Sequence, residues 1–153
     1  MFSESVGMWV VNFAMKEERE LKSPLHYLKK TMNPYIIISI IALHWFADFV
    51  LQTDWQAQNK SKNNSALTMH VLSYSVVWLL VCNAYSVVTG NYLIVAFFPI
   101  ITFITHWLID YVTSRINSKL WQAKKTHLFF VSIGFDQLLH YTQLILTFYF
   151  LTQ

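Results

Sequence analysis

Four long apolar stretches limit what this chain can fold into more than any other feature. They run from Pro34 to Asp54, Ala66 to Val88, Tyr92 to Thr113 and Leu128 to Leu151, each close to the roughly 20 residues of helix that cross a bilayer. The expectation is an all-α, multi-pass integral membrane protein built as a four-helix bundle, with the bacterial inner membrane as its location. Composition agrees. Hydrophobic residues make up 55% of the chain and charged residues 12%, about half the roughly 25% charge of soluble domains. With 153 residues there is one core to account for and one main domain, residues 34–153.

Two polar connections, QAQNKSKNNS and SRINSKLWQAKK, and a very short turn at Thr89-Gly90-Asn91 separate the stretches. An even number of spans puts both polar connections on one side, called face B here. Positive charge is nearly balanced between the two sides. The acid-free connections after Asp54 point to face B as the cytoplasmic one. Residues 1–33 differ in character: Phe2, Val6, Trp9, Val10 and Phe13 fall at helical spacing before the charged run KEEREL, which reads as an amphipathic interfacial helix and a linker. No cleavable signal is expected, because Glu4 rather than a positive charge precedes the first apolar run.

The net charge of +3 is small and carried by the connections and the N-terminal segment, so nucleic acid is not expected as a partner. Cys82 is the single cysteine and reads as a small buried hydrophobe.

Acidic residues segregate: all four glutamates lie in the N-terminal segment, and all four aspartates lie in or at the end of an apolar stretch. Ionisable groups inside a membrane cost several kcal/mol unless paired, metal-bound or facing water, so they default to a functional reading. His44 and Asp48, His106 and Asp110, and Asp136 and His140 are each four residues apart, which stacks each pair on one helix face. The order reverses in the fourth span, as an antiparallel helix requires if the three aspartates are to share one level. His70 joins them from the B end of the second span.

Helix bundles build metal sites in this way, from carboxylates and imidazoles that project inward. The expected ligands are His44, Asp48, His70, His106, Asp110, Asp136 and His140, holding one or two divalent ions, zinc first and manganese or iron as alternatives. A metal with an open position lowers the pKa of bound water to about 7, and an aspartate not used as a ligand, Asp48, Asp110 or Asp136, is the candidate base. Gln52, Tyr74, Lys60, Lys62, Lys124 and Lys125 are the candidate substrate-binding residues, the lysines attracting an anionic head group to a site that opens at face B. Pro99 is expected to kink the third span, and Gly134 to allow close packing beside Asp136.

The leading expectation is a metal-dependent hydrolase acting on a lipid-linked or phosphorylated substrate, with membrane lipids around it. A proton, ion or small-solute pathway is the alternative, but it requires polar groups through the whole membrane. A phage-type membrane interaction protein is a third reading. An oligomer is compatible with the sequence. A bis-histidine haem site is disfavoured, since it gives no reason for three carboxylates beside the imidazoles.

The stretch HWFADFVLQTDW, the later HWLIDY and the final DQLLH resemble an uncharacterised family of small bacterial and phage membrane proteins, a domain of unknown function, over about residues 34–150. Its members are similar in a His-x-x-x-Asp-Phe-x-Leu-Gln motif, here His44, Asp48, Phe49, Leu51 and Gln52. The resemblance implies the architecture and the choice of residues, but no reaction.

Overall fold

The structure is a computed structural model that describes residues 12–18 and 33–153. Among these residues it is all-helical. Residues 12–18 form a short exposed helical stretch. The rest of the proposed interfacial helix, including Phe2, Val6, Trp9 and Val10, lies outside the described residues.

Helix α1 spans Pro34–Trp45 and continues through a π-helical turn, Phe46–Val50. Pro34 opens it with a preset φ, and Asn33 caps it by accepting a hydrogen bond from the Tyr35 amide at 2.9 Å. A short helix, α2 (Asp54–Asn59), lies in the first polar connection, and Thr53 and Gln56 close its capping box. Three long helices follow: α3 (Asn64–Thr89), α4 (Leu93–Gln122) and α5 (Thr126–Leu151). The turn between α3 and α4 contains Gly90 at φ 75°, the left-handed conformation that glycine adopts without penalty. Asn91 ties this turn to the carbonyl of Leu151.

Helix α4 packs against α3 on one side and α5 on the other, while α1 packs on α5 and its π turn on α3. Almost every fourth residue is buried: Ile94, Phe98, Thr102, His106 and Asp110 in α4, and Asp136, His140, Leu144 and Phe148 in α5. Along each stripe the buried residues are apolar at one end and become His and Asp towards the other. The outward faces carry Val87, Val88, Leu80 and Phe150, each 65–85% exposed. The bundle is therefore polar at one end of its interior and apolar outside.

Two expected boundaries, and the expected close packing at Gly134, need correction. The second polar connection is mostly helix: α4 runs to Gln122, nine residues beyond Thr113. Loss of hydrophobicity ends a membrane span, but no glycine or proline is present to end the helix. The first stretch stops as a helix at Val50, short of Asp54, which instead begins α2. Among the described residues two helices, α3 and α4, are both long and apolar enough to cross a membrane. Helix α1 with its π turn is shorter, and α5 carries Asp136, Gln137, His140 and Gln143 in mid-helix. Helix α4 continues through the buried Pro99. Gly134 does not mark a close approach, since a Cβ there would meet nothing within 4 Å.

A candidate metal centre

The π turn is where the sequence pattern and the local structure interact most. Each π turn inserts one residue per turn relative to the α-helix, and such bulges recur at functional sites. Here it carries Asp48 into the bundle, 3.7 Å from Nε2 of His44 in the preceding α-helix. α3 contributes His70, α4 contributes His106 and Asp110, and α5 contributes Asp136 and His140. All seven are buried.

The distances resolve two sets of ligand atoms. In the first, one atom from each of Asp48, His70, His106 and Asp110 lies within 4.8 Å of the others. Nε2 of His70 is 2.9 Å from Asp48 Oδ1, 3.4 Å from Asp110 Oδ2 and 3.3 Å from His106 Nε2. His106 Nε2 is 3.5 Å from Asp48 Oδ1 and 3.6 Å from Asp110 Oδ2. Tetrahedral ligands on bonds of 2.0–2.1 Å sit about 3.3–3.4 Å apart, which is the scale of these separations. Lys60 Nζ and Gln52 Nε2 also lie 3.4 Å from His70 Nε2; one imidazole N–H serves one acceptor, whereas a cation centred among Asp48, His70, His106 and Asp110 would take a lone pair from each.

The second set is Asp110, Asp136 and His140. Nε2 of His140 is 3.3 Å from Asp110 Oδ1 and 3.5 Å from Asp136 Oδ1. Asp110 thus belongs to both sets, Oδ2 facing one and Oδ1 the other. Nδ1 of His106 and of His140 is buried without a hydrogen-bond partner among the described residues, so these rings interact through their Nε2 atoms.

His44 lies outside both sets. Its Nδ1 pairs with the Tyr74 hydroxyl at 2.7 Å and its Nε2 with Gln137 Oε1 at 2.9 Å, while Gln137 Nε2 donates to Asp136 Oδ2 at 3.1 Å. With the tautomer that this arrangement favours, Tyr74 donates to His44, His44 to Gln137 and Gln137 to Asp136, a one-way chain that orients the carboxylate. Thr113 donates to the other oxygen of Asp136 at 2.6 Å.

Lys60 follows α2 and is folded back onto the site, its Nζ 2.9 Å from Asp110 Oδ2 and 3.4 Å from His70 Nε2. Burial alone would pull its ammonium down, but Asp110 and then Asp48 outweigh that, and its pKa is raised. Gln52 Nε2 lies over the His70 ring, 3.2 Å from Nδ1. Lys62 lines a cavity of about 730 Å³ above the site, together with Lys60 and Gln52. Lys124 and Lys125 do not line it; they are exposed in the turn between α4 and α5. Gln137 and Thr113 were not foreseen as site residues. Thr113 lies seven residues after His106 and so shares its helix face, a signal that was present. Gln137, adjacent to Asp136, had none.

No curated protein and no solved structure matches the chain. A protein-family comparison does match, over residues 36–153, covering all but the first two residues of the four apolar stretches and every member of both ligand sets. The chain therefore belongs to the family described as "Protein of unknown function (DUF3307)".

Proposed function

We propose that this protein is a multi-pass bacterial inner-membrane protein whose four-helix bundle holds two divalent cations and hydrolyses a lipid-linked or phosphorylated substrate at face B. The observation that carries the reading is the double role of Asp110, whose two oxygens face two separate groups of imidazole and carboxylate atoms spaced as metal ligands are. Asp48, His70, His106, Asp110, Asp136 and His140 would hold the ions, and such a donor set suits zinc, manganese or iron. When bound, the metals supply a Lewis acid and a water of lowered pKa. The chain's own part is to hold Asp136 through Thr113 and Gln137, to exclude water below the histidines, and to present Lys60 and Lys62 to an anion at the mouth.

The membrane reading is supported by the apolar exterior around an interior that is polar at one end. The one-sided pocket is favoured over a pathway by the other end of the bundle. Past the histidines, Gln143 pairs with Thr102 and Thr147. Beyond it lies a cavity of about 230 Å³ lined mainly by apolar residues such as Ile40, Leu43, Val81 and Phe98.

The test is elemental analysis of the detergent-purified protein beside a folded His106→Ala/Asp110→Ala variant. The expected result is near-stoichiometric metal that the variant loses, followed by metal-dependent release of product from phosphoesters or lipids. Metal-free wild-type protein, or activity that survives chelation, would overturn the reading.

A further inference from the structure

The cavity above the two ligand sets has a volume of about 730 Å³, within the size range of small-molecule sites, and its walls are chemically opposite. Asp48 and Asp136, one carboxylate from each set, form part of its lining. One wall is the late part of α4, where Ser114, Asn117, Ser118 and Gln122 recur at spacings of three and four and so share a helix face. The other wall is apolar: Phe129, Phe130 and Ile133 from α5, with Phe49 from the π turn. Phe49 and Phe130 are about half or more exposed, so this wall continues onto the apolar outer surface. The rest of the lining includes Lys60, Lys62 and Gln52, with Trp121 from α4 and Gln137 from α5.

Two atoms of the polar wall are buried with no partner among the described residues, Ser114 Oγ and Asn117 Oδ1. A buried polar atom left unpaired costs about 1–3 kcal/mol, a cost that a ligand group reaching it from the cavity would recover. Asn117 Oδ1 is an acceptor and needs a donor. A bare phosphate offers acceptors to it, and a quaternary ammonium offers no hydrogen bond. A primary ammonium is opposed by Lys60 and Lys62, though drawn by Asp48 and Asp136 in the same lining, and it offers no acceptor to the Ser114 hydroxyl. A hydroxyl both donates and accepts, matching the serines and amides of the wall.

We propose that the compound taken into this cavity is an amphiphile whose phosphate-bearing head is rich in hydroxyls. The hydroxyls pair with Ser114 and Asn117, the phosphate lies towards Lys60 and Lys62, and the tail leaves along Phe129, Phe130 and Ile133. This rests on the reading of the bundle as membrane-embedded and metal-bearing.

The experiment is native mass spectrometry of the full chain in a sugar-free zwitterionic detergent. Phosphatidylglycerol and phosphatidylethanol are offered as an equimolar mixture with identical acyl chains and identical charge, so that only the hydroxyls differ. The expected result is roughly tenfold greater occupancy by phosphatidylglycerol, a preference that Ser114→Ala/Asn117→Leu brings close to unity. Soluble glycerol phosphate at the same concentration is expected not to displace the lipid. Equal occupancy by the two lipids, or a preference that the double variant keeps, would overturn the hydroxyl assignment. Displacement by glycerol phosphate would overturn the amphiphile. If the double variant does not fold, the wild-type comparison decides. Metal content is measured on the same preparation: lipid preference without metal removes the functional reading alone, and metal without lipid preference removes this inference alone.

Discussion

Lys60 donates to Oδ2 of Asp110 at 2.9 Å, across 50 residues of chain. Without metal, its ammonium is the cation closest to a carboxylate shared by both ligand sets. Lys60→Met removes that cation and leaves buried negative charge uncompensated. Metal-free protein is expected to lose about 1–3 kcal/mol of stability, and metal affinity to rise because a competing positive charge is gone. Thermal unfolding with and without metal, and competition with a chelator, read the two effects. Lower metal affinity in the variant would show that Lys60 assists the metals rather than competing with them.

Asp110 differs from Asp48 and Asp136 in serving both sets. Asp110→Asn is expected to deplete both ions, whereas Asp48→Asn and Asp136→Asn each deplete one. Elemental analysis of the three variants decides. Equal, partial losses in all three would argue against a shared carboxylate.

Thr113→Val is close to isosteric and deletes the hydroxyl that lies 2.6 Å from Asp136 Oδ1 and 2.9 Å from the Ile109 carbonyl of its own helix. Partners that orient metal-ligating carboxylates contribute about 10–100-fold to metal affinity. A loss of that order is expected for one ion, with the other unchanged. Titration against a fluorescent chelator measures it, and an unchanged affinity would remove Thr113 from the site.

Two turns test the backbone. Gly90 has φ 75° with open space around it, so Gly90→Ala adds strain and no clash, and is expected to cost about 1 kcal/mol. Lys124 has φ 56° without being glycine. Lys124→Gly is expected to stabilise by up to about 1 kcal/mol without altering activity, because Lys124 does not line the cavity. Thermal melts report both, and reduced activity in the Lys124 variant would restore it as a substrate-binding residue.

What could be read in advance was local. Helix positions followed from apolar runs and from the turn at Thr89-Gly90-Asn91, because hydrophobicity and turn chemistry act over a few residues. The pairs 44/48, 106/110 and 136/140 followed from the pitch of a helix, which fixes which side chains share a face. Even so, hydrophobicity misplaced the end of α4, since it reports where a chain leaves an apolar medium and not where its backbone hydrogen bonds stop.

The sequence by itself determined that imidazoles and carboxylates would gather on inward faces in one half of the bundle. Only the tertiary structure decided how they are used. The π turn that carries Asp48, the return of Lys60 over Asp110 and the diversion of His44 to Tyr74 and Gln137 depend on helix rotation and loop closure. These are set by packing between elements distant in the chain. Whether an imidazole nitrogen 3–4 Å from several partners faces a carboxylate, an amide or another imidazole changes with rotations of a few degrees, and no spacing along a single helix encodes that.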